Sequence, residues 1–282
     1  MNHPFTPTFP TSTASVISAD GTRITYRSLG EGEPLVVAPG GGAPAELYLP
    51  LAERLASTYR VVLLDRRGYG LSEPGPSPAS FLQDGADIQA VLEAVGEPSY
   101  LFGHSAGALA ALHGARIQPR RIRRLALYEP PLTFAPNARP LLERFRRLRA
   151  EGNDLEALVA FMAATEAVPE EEARGLLPTS EAAEVPAIRS RLSALAVGIE
   201  HDVEAVAGLS SDPGEWSDLT LPVLLLAGSE SQEHPLRDSV RLLEKALPDA
   251  RVAILQGQEH IAHVLAPDLL AGALREFFVE PN

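Results

Sequence analysis

Short apolar runs alternate with amphipathic helical stretches along most of this chain, and no other feature of the sequence limits the possible folds so strongly. Short apolar runs bounded by glycine, proline or charged residues are typical of strands buried on both faces of a sheet. A chain that alternates strand and helix in this way builds a mostly parallel sheet covered by helices. The sequence therefore predicts an α/β fold, with an opening hairpin at residues 16–17 and 23–28 and further strands at 35–38, 60–64, 100–102, 124–128, 222–227 and 251–255.

The alternation is interrupted in the second half of the chain. From about residue 134 to residue 218 the sequence has helical stretches punctuated by proline and glycine and no convincing strand. A helical unit inserted into one α/β domain explains this interruption. We therefore predict a core domain at residues 14–134 and 219–282 and a helical cap at residues 135–218. Residues 1–13 contain three prolines and four threonines, and we predict an N-terminal tail there.

Charge and composition exclude several classes of protein. The 282 residues carry a formal net charge of −13, which disfavours a nucleic-acid partner because the phosphate backbone is also negative. The absence of cysteine excludes disulfides, thiolate zinc sites, iron–sulfur clusters and a cysteine nucleophile. The N-terminus lacks the basic and apolar regions of a signal peptide, and the uncharged stretch 98–115 contains glycine and histidine. We expect a cytoplasmic monomer or homodimer with no membrane partner.

The segment GHSAG at residues 103–107 carries the strongest signal for chemistry. It matches the pattern G-x-S-x-G, and it follows a predicted strand and opens a predicted helix. A serine at such a sharp turn has a strained backbone, and the flanking positions need glycine because a side chain would crowd the turn. The helix N-terminus favours negative charge beside the serine. We predict that Ser105 is a nucleophile; the alternative is a glycine-rich turn with an idle serine.

A serine hydroxyl needs a base, and the turn after the last predicted strand supplies two histidines, His260 and His263. Reactive groups gather at the carboxyl ends of the strands in α/β folds, which favours His260 as the base. His263 is the second choice, since it begins the next helix. The pair could also suggest a metal site, but no third ligand stands at a recognisable spacing. We therefore predict neither a metal nor a cofactor.

The histidine needs a carboxylate that orients it and stabilises its cation. One expected place is three residues beyond Gly228, but Ser231 stands there and cannot carry the charge. Glu230 is one residue away from that place. Glu129 directly follows the predicted strand 124–128 and is held by two prolines. We predict Glu129 as the acid and keep Glu230 as the alternative.

A tetrahedral intermediate also needs two hydrogen-bond donors for its oxyanion. One is predicted to be the backbone N–H of Ala106, directly after the nucleophile. The other is predicted at Gly41, in the glycine turn that follows the strand 35–38. Glycine allows a backbone N–H to approach a ligand closely.

The residues of these motifs, together with the segment DRRGYGLS at 65–72, resemble those of the α/β-hydrolase fold family. The resemblance implies an eight-stranded sheet with a helical cap after the sixth strand, and it implies Ser105 as nucleophile and His260 as base. The place of Glu129 is similar to that of the acid in zearalenone lactone hydrolases. Asp65 and Arg67 have a structural role in the family. Epoxide hydrolases and haloalkane dehalogenases share the fold but need an aspartate at position 105.

We therefore expect a cofactor-free serine hydrolase that cleaves a small, apolar carboxylic ester or lactone through an acyl-enzyme. A thioesterase or C–C bond hydrolase with the same triad, and a non-catalytic member of the fold, stay open as alternatives. The cap is expected to supply an apolar pocket wall, for which the large side chains after the sixth strand are candidates: Leu132, Phe134, Phe161, Met162 and Trp216.

Overall fold

In the computed structural model, which describes residues 9–165, 168–210, 212–231 and 235–279, eight strands form one sheet in the order β1-β2-β4-β3-β5-β6-β7-β8. The pairs β1·β2 and β2·β4 are antiparallel and the other neighbours are parallel. This confirms the mostly parallel α/β sheet. The strands are β1 Thr11–Ile17, β2 Arg23–Leu29, β3 Glu33–Ala38, β4 Tyr59–Asp65, β5 Ser99–His104, β6 Ile122–Tyr128, β7 Val223–Gly228 and β8 Ala250–Leu255.

The first strand differs from the prediction. β1 begins at Thr11, within the segment predicted as tail, and residues 1–8 of that segment lie outside the described residues. β1 pairs with β2 along its whole length, from Thr11 opposite Leu29 to Ile17 opposite Arg23. It lies at the edge of the sheet and is almost entirely exposed, so its polar side chains give no apolar run that would mark a strand.

Helices cover both faces of the sheet, because successive side chains of a strand point to opposite faces and here both sets are apolar. Val36 and Leu101 point to the face that α2 and α3 cover, and Leu35 and Phe102 point to the face of α1 and α11. The helices are α1 Leu49–Leu55, α2 Phe81–Val95, α3 Ala106–Ile117, α4 Ala135–Ala150, α5 Asp154–Thr165, α6 Glu170–Gly175, α7 Ser180–Ala183, α8 Pro186–Ala207, α9 Pro235–Ala246, α10 Ala262–Leu265 and α11 Pro267–Val279.

The segment between β6 and β7 is helical and contains α4 to α8, in the range predicted for a cap. Its longest helix, α8, lies against the loop that follows β4. At the crossing, a Cβ atom added to Gly68 of this loop would lie 3.0 Å from the Cα atom of Gly198 of α8, so the two backbones approach closely. The segment is therefore packed directly on the loop next to the glycine turn after β3.

Among the described residues, no helix combines the length and the hydropathy needed to cross a lipid bilayer. The expected location, the oligomeric state and the lack of a nucleic-acid partner stay predictions.

Candidate active site

Ser105 lies at the sharp turn between β5 and α3 and has φ 52° and ψ −124°. Its N–H donates to the carbonyl oxygen of Tyr128, which ties the turn to β6 with an N···O distance of 2.8 Å. A Cβ atom added to Gly103 would lie 2.5 Å from the carbonyl oxygen of Gly107, and one on Gly107 would clash with the carbonyl of Ala38. Both glycines are therefore required by close backbone contacts, as the motif predicts.

Glu129 and His260 are hydrogen-bonded, with 2.7 Å between Glu129 Oε2 and His260 Nδ1. Glu129 follows β6 directly, has a φ of 46° and is completely buried. Its other oxygen accepts a hydrogen bond from the N–H of Gly228, at 2.8 Å. Burial acts to raise the pKa of Glu129, but hydrogen bonds from His260, Gly228 and Ser231 outweigh it and lower the pKa overall. The carboxylate is therefore ionised at neutral pH.

The turn after β7 contains the two other positions considered for the acid, Glu230 and Ser231. Glu230 is exposed, and its Oε1 lies 2.9 Å from the hydroxyl of Ser229. Ser231, at the place first expected for the acid, is buried and hydrogen-bonded to Glu129. The structure thus brings Glu129, and not Glu230, to His260.

Ser105, His260, Gly41 and Ala106 line one cavity, which brings the predicted nucleophile, base and oxyanion donors together. The cavity has a free volume of about 50 Å³. Most of its walls are apolar, and residues from α5, α8 and α9 take part. The remaining lining residues are Pro131, Phe134, Phe161, Thr165, Asp202, Val203, Val206 and Leu236.

The comparison with known proteins gives the family. The sequence model of the alpha/beta hydrolase family matches residues 35–273, a range that includes Ser105, Glu129 and His260. The chain belongs to the alpha/beta hydrolase family. This hydrolase therefore has the fold that its motifs predicted.

Similar proteins agree with that assignment. A protein of Azorhizobium caulinodans named as a carbamate hydrolase, RutD, is 27% identical over 262 residues, which are 89% of this chain and 93% of RutD. N-formylmaleamate deformylase of Pseudomonas putida is 40% identical over 121 residues, 42% of this chain and 45% of that protein. The crystal structure of an alpha/beta hydrolase from Sphaerobacter thermophilus has a TM-score of 0.77 and 31% identity, covering 94% of this chain and 100% of that one.

The predicted wall residues divide into two groups. Phe134 lines the cavity of this hydrolase, and so does Phe161. Leu132 and Trp216 do not line it, which corrects the prediction: Leu132 is completely buried in the apolar core, and Trp216 is equally buried with its ring edge-on to His113. Met162 of α5 is partly buried and also lies outside the lining.

The second-choice base, His263, is buried and does not line the cavity. Its ring stacks on Tyr48 with 4.2 Å between ring centroids, and burial lowers its pKa to about 3. His104 is close to both histidines, with its ring centroid 4.5 Å from that of His260 and 4.7 Å from that of His263. In the part of the chain that the structure describes, no group of three or more histidine and acidic side chains is arranged to hold a metal ion.

Sequence reasoning missed two residues of the site, Asp202 and Tyr69. Asp202 comes from α8 and lines the cavity, although it is only 3% exposed. The hydroxyl of Tyr69 donates to Asp202 Oδ2 at 2.6 Å and accepts from the N–H of Gly42 at 2.9 Å. Asp202 stands in the polar run Glu-His-Asp-Val-Glu at residues 200–204, so nothing in its sequence neighbourhood marks this carboxylate as buried.

Proposed function

We propose that this chain is a serine hydrolase that cleaves a carboxylic ester or a lactone through an acyl-enzyme intermediate. The observation that carries the proposal is the hydrogen bond between Glu129 and His260 at the edge of the cavity that Ser105 lines. A buried, ionised carboxylate on Nδ1 fixes the imidazole tautomer that carries its proton on Nδ1, so Nε2 is the nitrogen that accepts a proton in the reaction.

In the proposed reaction, Ser105 Oγ attacks the substrate carbonyl carbon while His260 Nε2 takes the hydroxyl proton. The negative charge of Glu129 stabilises the imidazolium that forms. His260 then gives the proton to the leaving alkoxide oxygen, which leaves an ester of Ser105. A water molecule, deprotonated by His260, attacks that ester, and the proton returns to Ser105 as the carboxylic acid departs.

The tetrahedral oxyanion would be held by the N–H groups of Gly41 and Ala106. Ala106 is the first residue of α3, so its N–H is among the amides of that helix that have no intrahelical acceptor. The N-terminus of α3 adds a partial positive charge to the same place. Donors fixed in this way act most strongly in the transition state, where the charge develops.

The cavity favours a small and largely apolar acyl group. Its walls are formed mainly by proline, phenylalanine, valine and leucine side chains, and the free volume is about 50 Å³. We propose that α4 to α8 act as a cap, and that a substrate larger than a short acyl chain displaces part of the cap. No Lys or Arg side chain lines the cavity within the described residues, which gives no partner for a carboxylate on the substrate.

A second candidate is a hydrolase of acyl C–N bonds. Two of the similar proteins are named for carbamate and N-formyl amide substrates. The same nucleophile, base and oxyanion donors would serve such a substrate, with His260 protonating the leaving nitrogen.

A substrate panel separates these possibilities. Purified wild-type protein would be assayed on p-nitrophenyl esters of increasing acyl length, on lactones, on acyl thioesters, and on carbamates and N-formyl amides, with Ser105→Ala as the control. We expect the highest kcat/KM on a short ester or a lactone, and a loss of at least about 10³-fold in the variant. A higher kcat/KM on the C–N substrates supports the second candidate. Turnover that persists in Ser105→Ala, or none on any substrate, contradicts the proposal.

A further inference from the structure

Two buried tyrosines hold the glycine turn after β3 from both sides of Gly41. The N–H of Gly40 donates to the hydroxyl of Tyr48 at 2.8 Å, and the N–H of Gly42 donates to the hydroxyl of Tyr69 at 2.9 Å. Within the residues that the structure describes, the N–H of Gly41 itself donates to no protein acceptor. The amides on either side of the proposed oxyanion donor are therefore fixed, while the donor is left for a ligand.

A tyrosine hydroxyl has one proton, so it keeps a fixed orientation as an acceptor only when that proton is taken elsewhere. Tyr69 gives its proton to Asp202 Oδ2 at 2.6 Å. Burial raises the pKa of Tyr69, and the neighbouring Asp202 carboxylate raises it further, so the hydroxyl stays protonated. The position of Asp202 on α8 therefore fixes the orientation of the Tyr69 hydroxyl, which in turn holds the N–H of Gly42.

Asp202 is itself held by a buried cation. Arg66 Nη2 lies 2.5 Å from Asp202 Oδ1, and Arg66 also bonds Asp84 at 2.8 Å. All three side chains are nearly inaccessible to solvent. The ion pair matters near the oxyanion because Asp202 Oδ2 would lie only 2.9 Å from a Cβ atom added to Gly41. An unneutralised carboxylate at that distance would repel a developing negative charge.

We propose that Asp202 and Tyr69 are positioning residues: the helical segment between β6 and β7, through Asp202 and the Tyr69 hydroxyl, fixes the peptide planes that aim the Gly41 N–H at the oxyanion. This inference rests on the proposed serine hydrolase function. α8 would then contribute to transition-state binding in addition to lining the cavity. The ground-state substrate makes weaker use of the oxyanion donors, so the effect falls on kcat more than on KM.

The test uses Tyr69→Phe, which keeps the ring and removes the hydroxyl. We expect kcat on the best ester to fall about 10- to 100-fold while KM changes less than about threefold. The inhibition constant of a trifluoromethyl ketone, which forms an oxyanion on Ser105, should rise by the same factor as kcat/KM falls. Tyr59→Phe is the matched control, because the Tyr59 hydroxyl is buried and without a hydrogen-bond partner in the described structure. This variant should keep the kinetics of the wild type.

Asp202→Ala tests the next link, because alanine cannot accept the proton of the Tyr69 hydroxyl, which then loses its fixed orientation toward Gly42. We expect Asp202→Ala to lower kcat in the wild-type background and to have little further effect on kcat in Tyr69→Phe, since the two residues act through one path. Thermal unfolding of each variant separates this result from loss of folded protein.

The outcomes distinguish this inference from the proposed function. If the wild type is inactive on all esters and lactones, both fail. If the wild type is active and folded Tyr69→Phe has the same kcat and the same affinity for the trifluoromethyl ketone, the proposed function stands and the positioning role is overturned. Equal losses in kcat for Tyr69→Phe and Tyr59→Phe would also overturn it.

Discussion

Glu129 and His260 lie 131 residues apart in the sequence and meet through a hydrogen bond of 2.7 Å, the carboxylate coming from the end of β6 and the imidazole from the turn after β8. β7 lies between these two strands in the sheet, and its last residue, Gly228, donates to the same carboxylate. The three strand ends therefore hold Glu129 and His260 in one orientation.

Substitution of the acid gives the first prediction. Glu129→Gln keeps the shape of the side chain and removes its charge, so the imidazolium loses its counterion. We expect kcat to fall about 10²- to 10⁴-fold, measured by steady-state ester hydrolysis. Glu230→Gln is the matched control and should leave kcat within about twofold, because Glu230 is exposed and bonded to Ser229. The reverse pattern would place the acid in the turn after β7.

Gly107, two residues after the nucleophile, gives a prediction about stability. A Cβ atom at Gly107 would clash with the carbonyl groups of Ala38 and Pro39, which cannot move without shifting β3. We expect Gly107→Ala to lower the free energy of unfolding by about 1–3 kcal/mol, measured by urea denaturation.

Gly272 provides the matched control for that substitution. It lies within α11, has no neighbouring atom within 4 Å of an added Cβ, and has no positive φ. Gly272→Ala should raise stability by about 0.5–1 kcal/mol, because alanine favours the helix. A stable, fully active Gly107→Ala protein would contradict the tight packing of the turn.

His113 gives a prediction about pH. Burial lowers the pKa of His113 from 6.5 to about 4, and nearby Arg116 adds to the effect. The unfolded chain therefore binds a proton between about pH 6.5 and pH 4 that the folded protein does not bind, so stability falls as pH falls through this interval. His113→Leu should reduce the slope of unfolding free energy against pH by up to about 1.4 kcal/mol per pH unit. An unchanged slope would show that folding does not lower the pKa of His113.

The walls of the cavity give a prediction about selectivity. Phe161 lines the cavity, and one of its ring carbons would lie 3.1 Å from a Cβ atom on Gly42. Phe161→Ala should shift the optimum of kcat/KM toward longer acyl chains, measured on a series of p-nitrophenyl esters. Trp216→Phe should lower the unfolding temperature and leave the acyl-length optimum unchanged, since Trp216 packs on His113 away from the cavity. A shifted optimum in Trp216→Phe would show that Trp216 contributes to the acyl-binding cavity.

The parts of the fold and site that depend on local backbone chemistry could be predicted from the sequence. The turn at Ser105 requires glycine at fixed positions, and the strand ends that carry Glu129 and His260 follow apolar runs that sequence reasoning finds readily. These residues could be placed together because the carboxyl ends of neighbouring parallel strands meet at one edge of the sheet.

The parts that depend on packing across the chain could not be predicted. The hydrogen bond between Tyr69 and Asp202 joins residues 133 apart and exists only because α8 lies on the loop after β4. Trp216 and Phe161 are both large and apolar within the inserted segment, and composition does not tell a core residue from a cavity wall. β1 carries polar side chains at an exposed edge, so backbone pairing alone defines it.

The most direct test of the central claim is covalent labelling of Ser105. Wild-type protein and Ser105→Ala would be treated with a fluorophosphonate, and the modified residue would be located by mass spectrometry of the digested protein. The account predicts one adduct, on Ser105 of the wild type, and none in the variant. A wild type that stays unlabelled, or an adduct on another residue that persists in Ser105→Ala, would contradict it.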